Sequence, residues 1–181
     1  MDIEYLVHRT PDVSTYHFAD DGTIPNNPVL PLLVYAGALR LPADDPAAGA
    51  EAVFAANHWG RRWRDGVYPY HHFHSTAHEA LAVCAGEARL QLGGERGVSL
   101  AVTPGDVLVL PAGCGHKKLE SSEDFLVVGA YPHGQDWDLC YGRSGERPRV
   151  LDNIARVALP MTDPVYGSAG PIFIYWHPAQ P

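Results

Sequence analysis

Ten histidines punctuate the 181-residue sequence, and four of them, His71, His72, His74 and His78, fall within eight residues. Neutral imidazole is both a ligand for divalent transition metals and a proton carrier near neutral pH, so that density points to chemistry. In an extended chain side chains alternate between faces, and residues two apart lie about 7 Å apart along one face. His72 and His74 therefore share a side and can converge on one ion, with Tyr70 beside them and His71 and Phe73 turned away. The chain must turn at Ser75 to Ala77, after which Glu79, Leu81 and Val83 form one parity set. That makes Glu79 the acidic residue directed toward the same interior. A third imidazole, His116, ends a run from Gly105 that reads strand, Pro-x-Gly turn, histidine. Such a run returns a distant histidine to the first pair when the sheet closes on itself. Tyr70 and His78 are the candidates for moving a proton beside these groups.

The elements that must position these residues are short strands. Between Tyr68 and Tyr131 the runs YPYHHFH, EALAVCA, ARLQLGG, VSLAVT, DVLVLPAG and DFLVVGAY alternate or are apolar and are separated by glycine. This spacing predicts an antiparallel barrel or sandwich. Upstream, Ser14 to Phe18 reads as a strand, DGTIPNNPVLP as a turn-rich arm laid over the body, and PLLVYAGAL as a buried strand ending at Gly37. Asp45 as N-cap, Pro46 at the first helical position and an alanine-rich run to Asn57 predict a helix, with Val53 and Phe54 on its apolar face. Arg61, Arg62 and Arg64 follow in what reads as a solvated loop. Downstream, RPRVLDNIARVAL predicts a short helix from Pro148, DPVYG a turn, and PIFIYW a last apolar strand. No linker divides the chain, so residues 1–181 are expected to form one domain. Its parts are an arm and helix over 1–59, a core barrel over about 60–132, and an extension over 133–181.

Two spaced motifs in these elements resemble those of the cupins. Gly66, His72, His74, Glu79 and Gly86 match the first at every spacing, and Gly105, Pro111, Gly113 and His116 match the second, with Glu120 where asparagine is usual. The segments DGTIPNNPVLPLLVY, WRDGVYPYHHFHSTAHE and LPMTDPVYGSAGP are similar to a bacterial group of single-domain cupins, the YjlB-like proteins, which brings no activity with it. The resemblance implies an all-β fold, a double-stranded β-helix or jelly roll of the RmlC-like type. N- and C-terminal extensions and one or two short helices would be added to it. It also implies that His72, His74, His116 and Glu79 are metal ligands. Three imidazoles and a carboxylate suit Fe, Mn, Ni, Zn or Cu, and on an octahedral ion they leave two positions open. His78 rivals Glu79 for the fourth place, since the family pattern tolerates three or four residues after the second histidine. Glu79 is preferred because the gap to Gly86 counts from it and its parity fits the buried face. Cupins commonly pair through sheet edges or strand exchange, and the proline-rich arm could cover a neighbour's edge, so a homodimer is expected.

Composition narrows the partners. Thirteen basic residues against 21 acidic ones leave a net charge of −8, with no basic patch for nucleic acid. The longest mostly apolar stretch, Pro28 to Leu41, is too short to span a bilayer and is broken by Pro31. The first residues, MDIEYLVHRTPD, lack the order of a signal peptide, and Cys84, Cys114 and Cys140 suggest no disulfide framework, which together predict the cytoplasm. Cys114 reads as a small buried thiol and Lys118 as a solvated lysine, while Trp59, Trp63 and Trp137 suit either a pocket wall or a core. Two functions follow. The first is a metal-dependent enzyme of the dioxygenase or isomerase type acting on a small organic molecule in the barrel. The second is a non-catalytic cupin that binds or senses a small molecule or sugar.

Overall fold

Among the described residues, 3–10 and 12–176 of the computed structural model, nine strands pair antiparallel into two sheets. In chain order they are β1 (Asp12–Tyr16), β2 (Leu32–Ala36), β3 (Trp59–Asp65), β4 (Glu79–Ala85), β5 (Ala88–Leu92), β6 (Val98–Val102), β7 (Val107–Leu110), β8 (His116–Ser121) and β9 (Leu126–Pro132). The larger sheet has the order β1-β2-β7-β4-β9-β3 and the smaller β6-β5-β8. Strand β7 is apolar throughout, and β4 is apolar after Glu79, because both their faces are covered. Leu81 and Val83 face the smaller sheet and pack with Leu90, Leu108 and Val127 inside the jelly roll. Ala80, Ala82 and Cys84 face the other way, under an outer layer. That parity split puts Glu79 on the interior side with Leu81.

The outer layer is built by α1 (Pro46–Ala56) and the C-terminal segment. Helix α1 starts where Asp45 accepts from the Ala48 N–H at 3.0 Å and Pro46 occupies the first turn, as its sequence predicts. Val53 and Phe54 are fully buried beneath it, each contributing on the order of 1.5–3 kcal/mol. At its end the Asn57 amide donates to the carbonyls of Pro164 and Val165, both at 2.9 Å, which ties the extension to the body. A second helix, α2 (Arg149–Ile154), begins after Pro148 and buries Val150 and Ile154, one turn apart. No helix among the described residues is long and apolar enough to cross a membrane.

Three segments depart from the sequence reading. Residues 61–64, expected as a solvated loop, lie within edge strand β3, which pairs with β9 through a register shift between Gly60 and Trp63. Arg61 sits at that bulge with a φ of 49°, and the extra residue hides the alternation that would have marked a strand. PIFIYW, expected as a strand, forms the short helix α3 (Ile172–Tyr175). Ile172 and Trp176, four apart, are buried while Ile174 is 71% exposed, a helical period that a short apolar run does not distinguish from a strand. The first strand begins two residues earlier than expected and pairs with β2 of its own chain. The arm after it is likewise pinned within the chain, Asn26 donating to Gly93 O at 3.1 Å and Asn27 to Ala112 O at 3.0 Å. The DPVYG turn is present and carries a hub. Asp163 accepts from the Tyr35 hydroxyl at 2.7 Å and from the N–H groups of Val165, Tyr166 and Ile172.

Candidate metal centre

Residues 68–74 run beside the start of β8. His72 and His116 exchange backbone hydrogen bonds, at 3.2 and 3.0 Å, and the Lys118 N–H donates to Tyr68 O at 2.8 Å. This pairing brings the imidazoles of His72 and His116 to 4.0 Å between ring centres, with His74 about 6 Å from each. All three rings are buried, and one nitrogen of each lies within 4.8 Å of the others. Glu79, at the start of β4, closes the group. Its Oε1 is 3.4 Å from His74 Nε2 and its Oε2 3.4 Å from His116 Nε2. Donor atoms about 2.1 Å from a shared ion stand about 3.0 Å apart at right angles and about 3.4 Å apart at the tetrahedral angle. The two Glu79–histidine separations fall at that limit.

The rings are oriented by backbone carbonyls. His72 Nδ1 meets Tyr70 O at 3.2 Å, His116 Nδ1 meets Cys114 O at 3.1 Å, and His74 Nδ1 meets Asp138 O at 2.5 Å. A carbonyl only accepts, so each Nδ1 carries a proton and each Nε2 faces the common centre. Asp138 is itself anchored, its carboxylate accepting from the Ser75 N–H and hydroxyl, both at 2.6 Å. Glu79 is held from the opposite side. The Tyr131 hydroxyl donates to Glu79 Oε1 at 2.7 Å and accepts from Trp63 Nε1 at 3.0 Å. Glu79 Oε2 is buried without a hydrogen-bond partner, so lone pairs converge on a point where a cation could satisfy them.

The electrostatics agree. Burial, with the neighbouring His116, pushes His72 down to about 3, so that ring is neutral across the working range. Burial would lower His74 as well, but the Glu79 charge outweighs it and raises that imidazole. Burial opposes ionisation of Glu79, yet His74 and His116 hold it well below the usual carboxylate range. A proton on His74 and a cation at the centre are thus alternative answers to one buried negative charge.

A cavity of about 400 Å³ opens over the cluster. Trp63, Tyr68 and Trp137 form its walls, and Trp137 stacks on Tyr131 with ring centres 5.6 Å apart. Arg61 and Arg64 stand at its mouth, paired with Asp136 and Glu51.

The structure thus brings His72, His74, His116 and Glu79 together, and it corrects the place given to His78. That ring immediately precedes β4 and has the opposite parity to Glu79. It points into the outer layer, accepts from the Ala112 N–H at 2.9 Å and packs on Trp176. It reaches neither the fourth position nor the cavity. Tyr70 lies on the exposed rim, stacked on Tyr68, and does not line the cavity. Cys114 is buried, its thiol pushed up to about 12 by burial, and the Lys118 ammonium lies over the Phe125 ring. Trp63 and Trp137 are cavity walls, whereas Trp59 belongs to the outer core. Sequence reasoning did not single out Tyr131 or Asp138. The shared parity of Gly129 and Tyr131 on β9 could have marked the first, while no local signal marks the second.

The defining pattern of the family described as Cupin matches residues 64–134. A protein of Bacillus subtilis (strain 168), named Uncharacterized protein YjlB, is 43% identical over 165 residues, covering 91% of this chain and 97% of that protein. Among solved structures, an acireductone dioxygenase from Bacillus anthracis with a cadmium ion in its active centre is 15% identical with a TM-score of 0.36, over 46% of this chain and 57% of that one. The DMSP lyase DddQ from Ruegeria pomeroyi DSS-3 is 19% identical with a TM-score of 0.31, over 57% of this chain and 38% of that one.

Proposed function

The chain belongs to the cupin family, in the group that includes the Bacillus subtilis protein YjlB, and from that premise we propose that it is a metal-dependent enzyme acting on a small organic molecule in the barrel. The carrying observation is the orientation of the cluster, with three Nδ1 atoms taken by carbonyls and the free Glu79 Oε2 buried among the Nε2 atoms. His72, His74, His116 and Glu79 hold a divalent ion of Fe, Mn, Ni, Zn or Cu. When bound, that ion supplies Lewis acidity or, for the redox-active metals, electron transfer, the chemistry of an isomerase or a dioxygenase. One carboxylate against a divalent ion leaves a net positive centre in a buried site, which favours an anionic oxygen-bearing ligand. A cavity of about 400 Å³ lies in the size range of small-molecule sites. Its walls are aromatic, and Tyr68 and Tyr131 bring hydroxyls to the lining.

One observation supports the second reading, a module that binds its ligand without transforming it. Neither Tyr70 nor His78 lines the cavity, which leaves few proton-transfer groups there. Turnover of candidate diols or keto acids in air and under anaerobic conditions separates the two readings. We also propose that the protein forms a homodimer, through a sheet edge such as β6, which among the described residues pairs only with β5. The free thiols of Cys84, Cys114 and Cys140 support a reducing compartment, the cytoplasm.

The decisive experiment measures metal content by plasma mass spectrometry on protein prepared without tag or chelator, with His116→Ala and Glu79→Gln in parallel. One metal per chain, lost or strongly reduced in both variants, is the expected result. A wild-type protein that holds no metal and takes up none of the five on reconstitution refutes the proposal.

A further inference from the structure

Glu79 is the one member of the cluster that no backbone carbonyl orients. A buried carboxylate on a short side chain has two equivalent oxygens and can turn either toward a cation or both at once. Here one oxygen is already engaged. The Tyr131 hydroxyl has a single proton, and it donates that proton to Oε1 at 2.7 Å. The hydroxyl cannot rotate away without cost, because Trp63 Nε1 donates to the same oxygen at 3.0 Å and fixes the direction of its lone pairs. Trp63 is fixed in turn by backbone. Its indole lies directly on Gly129, where any Cβ would meet the ring carbons within 2.3 Å. Gly129 and Trp63 are cross-strand partners in the β3–β9 pair, and Tyr131 is two residues further on the same face of β9. Two residues of paired strands, Trp63 on β3 and Tyr131 on β9, thus form a chain of donors ending on Oε1, with Gly129 seating the indole, while Oε2 makes no hydrogen bond.

We propose that Tyr131 is a positioning residue that makes Glu79 a one-oxygen ligand, presenting Oε2 to the ion, with Trp63 and Gly129 holding Tyr131 in place. The inference rests on the metal-centre reading above and goes beyond it. It assigns a role to Tyr131, Trp63 and Gly129, none of which lies in either histidine motif, and it specifies how the carboxylate is used. The hydrogen bond occupies one lone pair of Oε1 and lowers its donor strength relative to Oε2, which favours binding through Oε2 alone.

The test titrates metal-free wild-type, Tyr131→Phe and Trp63→Phe proteins with Co(II). It records the dissociation constant and the visible Co(II) spectrum, and measures the thermal midpoint of each metal-free form as a control for folding. Tyr131→Phe should weaken Co(II) binding about 10- to 100-fold and change the spectrum as Glu79 becomes free to bind through both oxygens. Trp63→Phe, which keeps a ring on Gly129 but removes the donor, should do the same to a smaller degree. A general packing defect would lower the midpoint without altering the spectrum of the loaded protein. Wild-type affinity and an unchanged spectrum in Tyr131→Phe overturn this inference alone. A wild-type protein that takes up no Co(II) overturns the metal-centre reading and this inference with it.

Discussion

Asp138 offers the sharpest test of how the extension supports the centre, because one residue supplies both an anchor and the partner of His74. Its carboxylate accepts from the Ser75 N–H and hydroxyl at 2.6 Å, with Thr76 contributing longer contacts at 3.3 Å, and its carbonyl receives His74 Nδ1. A hydrogen bond to a charged acceptor contributes about 1.5–3 kcal/mol, and the half-buried site calls for the low end. Two short bonds lost in Asp138→Ala therefore cost about 3 kcal/mol, or about 6–12 °C in the thermal midpoint of a domain this size. Asp138→Asn keeps one acceptor oxygen and should lose about half. The freed loop also loosens the carbonyl behind His74, so metal affinity should fall on the order of tenfold. Thermal denaturation with and without chelator, and Co(II) titration of the same samples, read both effects. Burial pushes the Asp138 carboxyl up, but the Ser75 donors and Cys140 outweigh it and hold it below the ordinary aspartate value of 3.8. Its contribution is therefore present above that value and lost as the pH falls through the lower, folded one. The advantage of wild type over Asp138→Asn should hold from neutral pH down to about 4 and close below it. An Asp138→Ala protein with an unchanged midpoint and unchanged metal affinity would refute the reasoning.

Two further outcomes are expected. Asp163→Ala leaves the Tyr35 hydroxyl and three N–H groups, two of them buried, without an acceptor, so chemical denaturation should show a loss of more than about 3 kcal/mol; a loss under about 1 kcal/mol would show that the hub is dispensable. Sedimentation at micromolar concentration should give a species of twice the 19.7 kDa chain mass, and a 19.7 kDa species across that range would exclude the homodimer.

The parts of the centre legible in the sequence are those set by local periodicity. His72 and His74 share a face because they are two apart, and Glu79 joins them because its parity matches Leu81 rather than Ala80. His116 was placed by its turn, Pro111 to Gly113, and the chain does return there to pair with His72. His78 shows the same rule at work, since one step of register sends it to the opposite side of the sheet. What escaped detection depends on the register between distant strands. Trp63 reaches Tyr131 through a bulge at Arg61, and a bulge erases the alternation by which a strand is read. PIFIYW failed for another reason, being too short for a period of 2 to be told from one of 3.6 until Trp176 is seen donating to Pro31 O.

The same distinction separates the three histidines from one another. His72 and His116 take their carbonyl partners from residues two positions away, Tyr70 and Cys114, so the local segment that carries each ring also orients it. His74 takes its partner from Asp138, 64 residues on, in a loop held by Ser75, by the backbone pair of Phe73 with Cys140, and by Asn153 of α2 donating to the Ser75 hydroxyl. The cupin pattern matches residues 64–134 and ends four residues before Asp138. The jelly roll therefore supplies all four candidate ligands but orients only two of the three imidazoles. The third is oriented from outside that pattern, by the loop that carries Asp138. On the proposed reading, a cation at the centre would stabilise the loop that holds Asp138, and the loop would in turn raise affinity for the cation.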